Sequence, residues 1–312
     1  MKPIKWYLQG FRNPRKGLWV IIERFCEKYI KNDKVYLSIK YYLLMGQRLH
    51  WKNPQTFNEK LNWLKVYDRK PEYTDMVDKV KAKEYVAKRI GEEYIIPTYA
   101  VWDKPEDINF DLLPNQFVLK CNHAGSLGMC ICKDKSKLDY DKVRDGLAVC
   151  LKDDYYLHSR EWPYKNIEKK IFAEAYMLDN KTAELRDYKF FCMDGKCKTL
   201  FIAKDRMNRK EPYFDFFDAD FNHLDIRQGH PNSPIPPEKP ENFELMKQLA
   251  EKLAQDIPQL RVDFYEVNGK LFFGELTFST HGNILSNYKE EALETWGKLL
   301  ILPEPYNGPD KY

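Results

Sequence analysis

The period of apolar positions changes along the chain. Through Leu18–Ile30 and Tyr36–Leu44 apolar residues recur at helical spacing, so a helix with one apolar face is predicted for each. The stretch Asn53-Pro-Gln-Thr-Phe57-Asn58-Glu59-Lys60 reads as a loop opening a further helix, with Thr56 or Asn58 as its cap ahead of Leu61, Trp63 and Leu64. Another helix is predicted over Asp78–Arg89, ended by Gly91. Residues 1–70 are therefore mostly helical, and Tyr94-Ile-Ile-Pro97 leads into extended chain.

From there the period falls to two. Gln116–Lys120 and Met129–Cys132 flank the loop His123-Ala-Gly-Ser-Leu-Gly128 as a hairpin-like unit; residues 137–157 read as helical and Lys170–Met177 as a strand. Asp187–Met193 and Cys197–Ala203 pair through Asp194-Gly195, and a turn-rich region runs on to about residue 240. A helix covers Phe243–Asp256, and Leu260–Val267 and Lys270–Leu276 pair through Asn268-Gly269. Asn-Gly readily adopts the positive φ angles of a two-residue hairpin turn, which makes this the sharpest local signal in the chain. The class predicted is α+β, dominated by antiparallel hairpins, with no internal repeat.

Composition adds bounds. A chain of 312 residues accommodates two or three small domains, and 43% hydrophobic with 15% aromatic residues predicts packed cores. Disorder is expected only near Pro231–Pro240 and at the last few residues. A net charge of +4 is too small for a dedicated nucleic-acid binder. Its distribution is uneven: residues 1–50 carry eleven Lys or Arg against three acids, a net of +8, which leaves −4 for the rest. That segment reads either as a basic arm on an anionic membrane surface or as a solvated helical face. The best apolar run, Gly17–Ile22, is interrupted by Glu23 and Arg24 and lacks a small-residue cleavage site, so neither a membrane span nor a secretory signal is expected. Seven irregularly spaced cysteines predict reduced thiols and a cytoplasmic setting, and the basic arm, if it lies on a membrane, makes the contact a peripheral one at the cytoplasmic face. Cys121, His123, Cys130 and Cys132 lack the spacing of a structural zinc site.

Two segments carry chemistry. Asp263 and Glu275 face each other across the hairpin 260–277, and two converging carboxylates repel unless a cation offsets them. Hard oxygen ligands suit Mg²⁺. Arg261, two residues before Asp263, points to the same face and can hold a phosphate or a developing oxyanion. The plain alternative is an exposed cross-strand charged trio. The second segment, Lys120-Cys-Asn-His-Ala-Gly125-Ser126-Leu127-Gly128, ends a strand with a lysine and follows it with a loop whose backbone N–H groups can cradle phosphates. Its plain alternative is an ordinary hairpin loop.

In this order the motifs resemble the ATP-grasp superfamily over about residues 76–283. The resemblance implies that Lys79 and Lys120 contact ATP, that Gly125, Ser126, Leu127 and Gly128 cover its phosphates, and that Glu174, Ala175, Tyr176 and Met177 form the hinge strand beside adenine. It places Asp187 at the ribose, leaves Lys189 either facing nucleotide or paired with Asp187, and makes Asp263, Glu275 and Thr277 the Mg²⁺ (or Mn²⁺) ligands. Thr277 stands where the superfamily usually has Asn, and Arg206 is the candidate cation near the γ-phosphate.

Pro54-Gln-Thr-Phe57-Asn58-Glu59-Lys60, Lys120-Cys-Asn-His123, Asp187-Tyr-Lys189-Phe and Phe273-Gly-Glu-Leu-Thr277-Phe more narrowly resemble the TupA-like ATP-grasp family, associated with teichuronopeptide and capsule clusters. The resemblance implies two α+β subdomains sandwiching ATP: a small one over 71–175 and a large one over 176–312, after a helical basic region at 1–70. The implied reaction is carboxylate–amine ligation through an acylphosphate, joining an amino acid or peptide to a glycan carboxylate. Arg261, Lys120 and Arg206 would be its catalytic residues, with no nucleic-acid partner. His123 and His281 read as polar loop residues rather than general bases. Rival readings are a glycosyltransferase, for which Asp218-Ala-Asp220 is the only Asp-x-Asp, and a catalytically dead membrane-associated binding module.

Overall fold

The computed structural model describes residues 13–204, 212–227, 229–280, 284–285 and 290–307. Its helices are α1 (Pro14–Tyr29), α2 (Asp33–Met45), α3 (Phe57–Tyr67), α4 (Glu72–Val77), α5 (Lys81–Ile90), α6 (Tyr140–Lys152), α7 (Tyr155–Ser159), α8 (Phe243–Leu253) and α9 (Glu290–Leu299). Its strands are β1 (Thr98–Trp102), β2 (Phe117–Cys121), β3 (Cys130–Cys132), β4 (Ile171–Ala175), β5 (Asp187–Met193), β6 (Lys196–Lys204), β7 (Tyr213–Asp218), β8 (His223–Leu224), β9 (Gln259–Val267) and β10 (Lys270–Thr277). The described residues divide into two compact units: one gathers those before Pro71, Tyr156–Trp162 and those from Ser279 onward, the other those within Pro71–Tyr155 and Pro163–Phe278.

The first unit is helical. Asn13 caps α1 by accepting from Lys16 N–H, and Asn32 caps α2 by accepting from Val35 N–H. At α3 Thr56 and Glu59 form a capping box, the reciprocal arrangement that satisfies two exposed donors at once. Trp19, Tyr36, Leu37 and Tyr41 build the core. Helix α9, which no sequence period anticipated, docks on α3 with Trp296 edge-on to Phe57 at 5.4 Å. Lys60 Nζ donates to the Gly297 and Leu300 carbonyls at 2.8 Å each, closing the end of α9. The approach demands glycine at 297, where a Cβ would lie 2.3 Å from the Gln55 carbonyl oxygen.

The second unit holds two antiparallel sheets, ordered β1-β4-β2-β3 and β10-β9-β5-β6-β7-β8. In the four-stranded sheet Phe117, Leu119, Cys121, Ile171 and Ala173 pack with Leu147 and Cys150 of α6, so the opposite face carries Val118, Lys120 and Glu174. In the six-stranded sheet Phe190 packs against Phe243 of α8 and Phe264 of β9. The side chains alternate, so Asp187, Lys189, Arg261 and Asp263 share the other face.

The mixed α+β class dominated by antiparallel pairs, expected from sequence, is found. Three details differ. Strands β7 and β8 occupy the region expected to be turn-rich, because β6 carries buried apolar residues that pair with Phe214, Phe216 and Phe217. The helix expected over 137–157 breaks between α6 and α7. Helix α5 begins at Lys81, because the Asp78 carboxylate accepts from the Val80 and Lys81 N–H groups at 2.9 and 3.3 Å.

Candidate active site

The acidic hairpin is joined by the expected Asn268-Gly269 turn, both residues at positive φ (52° and 77°). Counting back from such a turn would pair Asp263 with Gly274 and put Glu275 on the α8 face. A bulge between Phe273 and Glu275 shifts the register, so Glu275 pairs with Asp263 and Thr277 with Arg261. Gly274 serves the bulge: a Cβ there would meet the Asp263 carbonyl and the Tyr265 ring, each at 3.1 Å.

The two carboxylates are offset within the protein. Arg261 donates from Nε to Asp263 Oδ1 at 2.7 Å and from an Nη to Asp263 Oδ2 at 2.8 Å; the same Nη reaches Glu275 Oε1 at 2.5 Å. Lys189 Nζ donates to Asp263 Oδ2 and lies 3.4 Å from Asp187, so it serves both acids. The cation that two facing carboxylates need is supplied within the chain, by the Arg261 guanidinium and the Lys189 ammonium. Burial alone would raise the Glu275 pKa; Arg261, then Lys79 and Lys189, outweigh it and hold the carboxyl well below the usual range. Asp263 is fully buried, whereas Glu275 is about one-third exposed.

The donor set fits a hard divalent cation. Both carboxylates are held among cations, and among the described residues the contacts of Glu275 fall on Oε1. Thr277 Oγ1 donates to that oxygen at 3.2 Å, so here the hydroxyl orients Glu275.

The other sheet supplies Lys120, and helix α5 supplies Lys83. Lys120 Nζ bonds Glu174 Oε1, and Lys83 Nζ bonds Glu174 Oε2 at 3.0 Å and the Ile96 carbonyl at 2.9 Å. Burial would raise the Glu174 pKa, but Lys120 and then Lys83 pull it below its ordinary value. Lys83, one helical turn after Lys79, was missed in the sequence reading; that i, i+4 spacing was the available signal. A carboxylate with a depressed folded pKa contributes stability above its unfolded pKa of about 4.3 and loses it as pH falls through the folded value. Lys83→Met is expected to raise the Glu174 pKa and move acid unfolding to higher pH. Circular dichroism across an acid titration checks it, and coincident wild-type and variant curves would refute it.

Lys79 stands between the end of β2 and the start of α5. Burial lowers its pKa most, while Glu275, Lys120 and Glu174 all lie within its electrostatic reach. Its N–H donates to the Asn122 carbonyl at 3.1 Å, and Asn122 Nδ2 bonds Asp78 Oδ2 at 2.9 Å. Asn122, also missed from sequence, thus ties the end of β2 to the start of α5. Gly125, Ser126 and Leu127 form an exposed loop tip. Gly128 anchors it at φ +68°, pressed so close to Gly146 of α6 that a Cβ would lie 2.6 Å from that carbonyl. Beside Lys120, Val118 pairs with exposed Ile131, an apolar patch the sequence reading overlooked.

Ala175 N–H donates to the Pro97 carbonyl at 3.0 Å, and Tyr176 and Met177 follow half-buried. Asp187 is buried on the Lys189 face. His123 is buried near Lys79 and Lys169, and burial chiefly lowers its pKa. Arg206 and His281 lie outside the described residues. Asp218 of the Asp-x-Asp accepts from the Asp220 and Asn222 N–H groups at 2.9 and 2.8 Å, so that carboxylate closes a turn.

The chain belongs to the TupA-like ATP-grasp family, whose model matches residues 59–300. No curated protein matches it. Among solved structures, it is similar to D-alanine–D-alanine ligase from Bacillus anthracis complexed with ATP at 16% identity and TM-score 0.37, over 70% of this chain and 55% of that one. The Helicobacter pylori D-alanine–D-alanine ligase gives 15% and 0.40, over 72% and 61%. The ATP-grasp ligase PsnB, complexed with a phosphomimetic variant of its minimal precursor, Mg and ADP, gives 10% and 0.46, over 89% and 71%. The chain thus spans less than two thirds of either D-alanine–D-alanine ligase.

Proposed function

We propose that the chain is an ATP-dependent carboxylate–amine ligase, acting on an amino acid or amine and a carboxylate of a bacterial surface glycan or its precursor. The observation carrying this reading is that one sheet holds Arg261 on Asp263 and Glu275, and the other holds Lys120 on Glu174, within the stretch that the TupA-like ATP-grasp model covers. Three lysines and an arginine among ionised carboxylates suit a triphosphate better than a neutral ligand.

In this reading Lys79, Lys120 and the backbone of residues 125–128 neutralise and position the phosphates, with Val118 and Ile131 beside them as an apolar wall for the base. Tyr176, Met177 and Asp187 take adenine and ribose. Asp263 and Glu275 would hold Mg²⁺ or Mn²⁺, which supplies further charge neutralisation at the phosphate oxygens. A substrate carboxylate attacks the γ-phosphorus and ADP leaves. The amine then attacks the acyl carbon and expels phosphate, while Arg261 stabilises the oxyanion formed between. The loop tip at 125–127 excludes water, which would otherwise hydrolyse the acylphosphate.

Peripheral contact with the membrane face bearing such precursors, in the cytoplasm, belongs to the same reading. The test is ADP release with amino acids and uronic-acid oligosaccharides offered singly and together. Release only when both are present supports the ligase; nucleotide-sugar binding without response to ATP and Mg²⁺ favours the glycosyltransferase.

A further inference from the structure

No helix of the described residues is long and apolar enough to cross a membrane, yet α1 carries large apolar side chains that stand exposed among the described residues. Leu18, Ile21, Phe25 and Tyr29 are 46%, 79%, 63% and 58% exposed. Their spacing of three, four and four residues puts them in one stripe along the helix. They are not strays from the core, because α1 turns Trp19 and Cys26 inward. Phe25 and Tyr29 also touch each other, with ring centroids 4.8 Å apart, so the patch is continuous.

The charges around the stripe are sorted. Arg24 and Lys28, both exposed, run along one edge, and Lys28 Nζ lies 5.2 Å from the Tyr29 ring centroid. The acids of α1, Glu23 and Glu27, fall on the opposite flank by the same helical period. There Glu23 accepts from Trp19 Nε1 at 3.3 Å and Glu27 meets His158 Nδ1 at 3.1 Å. An apolar stripe with a basic border and its acids turned away is the design of a helix lying in a membrane interface. The wider sequence agrees, since residues 1–50 carry a net of +8.

We infer that α1 docks the protein in-plane on an anionic lipid surface, with Leu18, Ile21, Phe25 and Tyr29 entering the headgroup boundary and Arg24 and Lys28 meeting lipid phosphates. A second copy of the chain is the competing occupant, but its matching face offers the basic border no anionic partner, which lipid phosphates do. The inference rests on the peripheral contact in the ligase reading and names its surface, and vesicle binding reads it separately from the ligase chemistry.

Full-length protein is sedimented with vesicles of phosphatidylcholine alone and of phosphatidylcholine with phosphatidylglycerol. Binding is expected to the anionic vesicles, falling with added salt, and not to the neutral ones. Ile21→Ser with Phe25→Ser, and separately Arg24→Glu with Lys28→Glu, should each lower the partition by about tenfold or more. All four side chains are exposed, so the circular dichroism spectrum should be unchanged. Undiminished binding by the Ser variant, equal binding to neutral vesicles, or a dimer in gel filtration that the Ser variant abolishes without vesicle binding would each overturn the inference.

Discussion

Glu275→Gln is expected to lower ATP turnover by about a hundred- to a thousandfold while leaving the fold intact. The carboxylate is partly open, takes Arg261 and Thr277 on one oxygen, and is held ionised by the surrounding cations. Replacing it by an amide keeps the shape and removes the charge available to a metal or phosphate. Asp263→Asn should lose as much activity but behave differently toward heat. Asp263 is buried and receives Arg261 and Lys189 together, so neutralising it leaves buried cations short of a partner. Such losses typically cost about 3–5 kcal/mol. Initial rates of ADP release beside thermal melts separate the two cases. A Glu275→Gln enzyme with wild-type turnover would remove Glu275 from the site.

The second large effect is expected at Lys120. Its replacement by Ala should weaken ATP binding about ten- to a hundredfold, the usual worth of a charge-assisted hydrogen bond to phosphate. Glu174 would remain paired with Lys83, which limits the structural damage. Lys196→Ala is the matched control, since Lys196 forms an exposed ion pair with Glu251 at 2.9 Å, far along β6 from the site face. Calorimetric titration with ATP in Mg²⁺ reads both variants. Equal affinities for Lys120→Ala and Lys196→Ala would place the nucleotide elsewhere.

Much of the site was legible because it depends on local rules. Asn268-Gly269 announces its hairpin, and side chains two apart share a face, which brings Arg261 to Asp263. Glu275 shows the limit of such counting. It faces Asp263 only through the bulge at Gly274, and a bulge is set by how the two strands settle against their neighbours rather than by period. The offset of the carboxylates by Lys189 and the bracing of Glu174 by Lys83 were equally hidden, because each joins elements distant in sequence. Strand β7 was read as turn because its run Tyr213-Phe-Asp-Phe-Phe-Asp218 is short and flanked by turn formers. Pairing with β6 decides it, a tertiary effect that no window of sequence contains.

The central claim is that the acidic hairpin, Lys120 of the second sheet and Lys79 ahead of α5 activate a carboxylate with ATP. It is tested most directly by following the carboxylate oxygen. Purified protein is given ATP, Mg²⁺, an amine and an acceptor labelled with heavy oxygen in its carboxylate, and the released phosphate is analysed by mass. Acyl phosphorylation predicts one labelled oxygen in each phosphate formed, with an amide as co-product. Phosphate free of label, or a glycoside formed from a nucleotide-sugar without ATP, would contradict it.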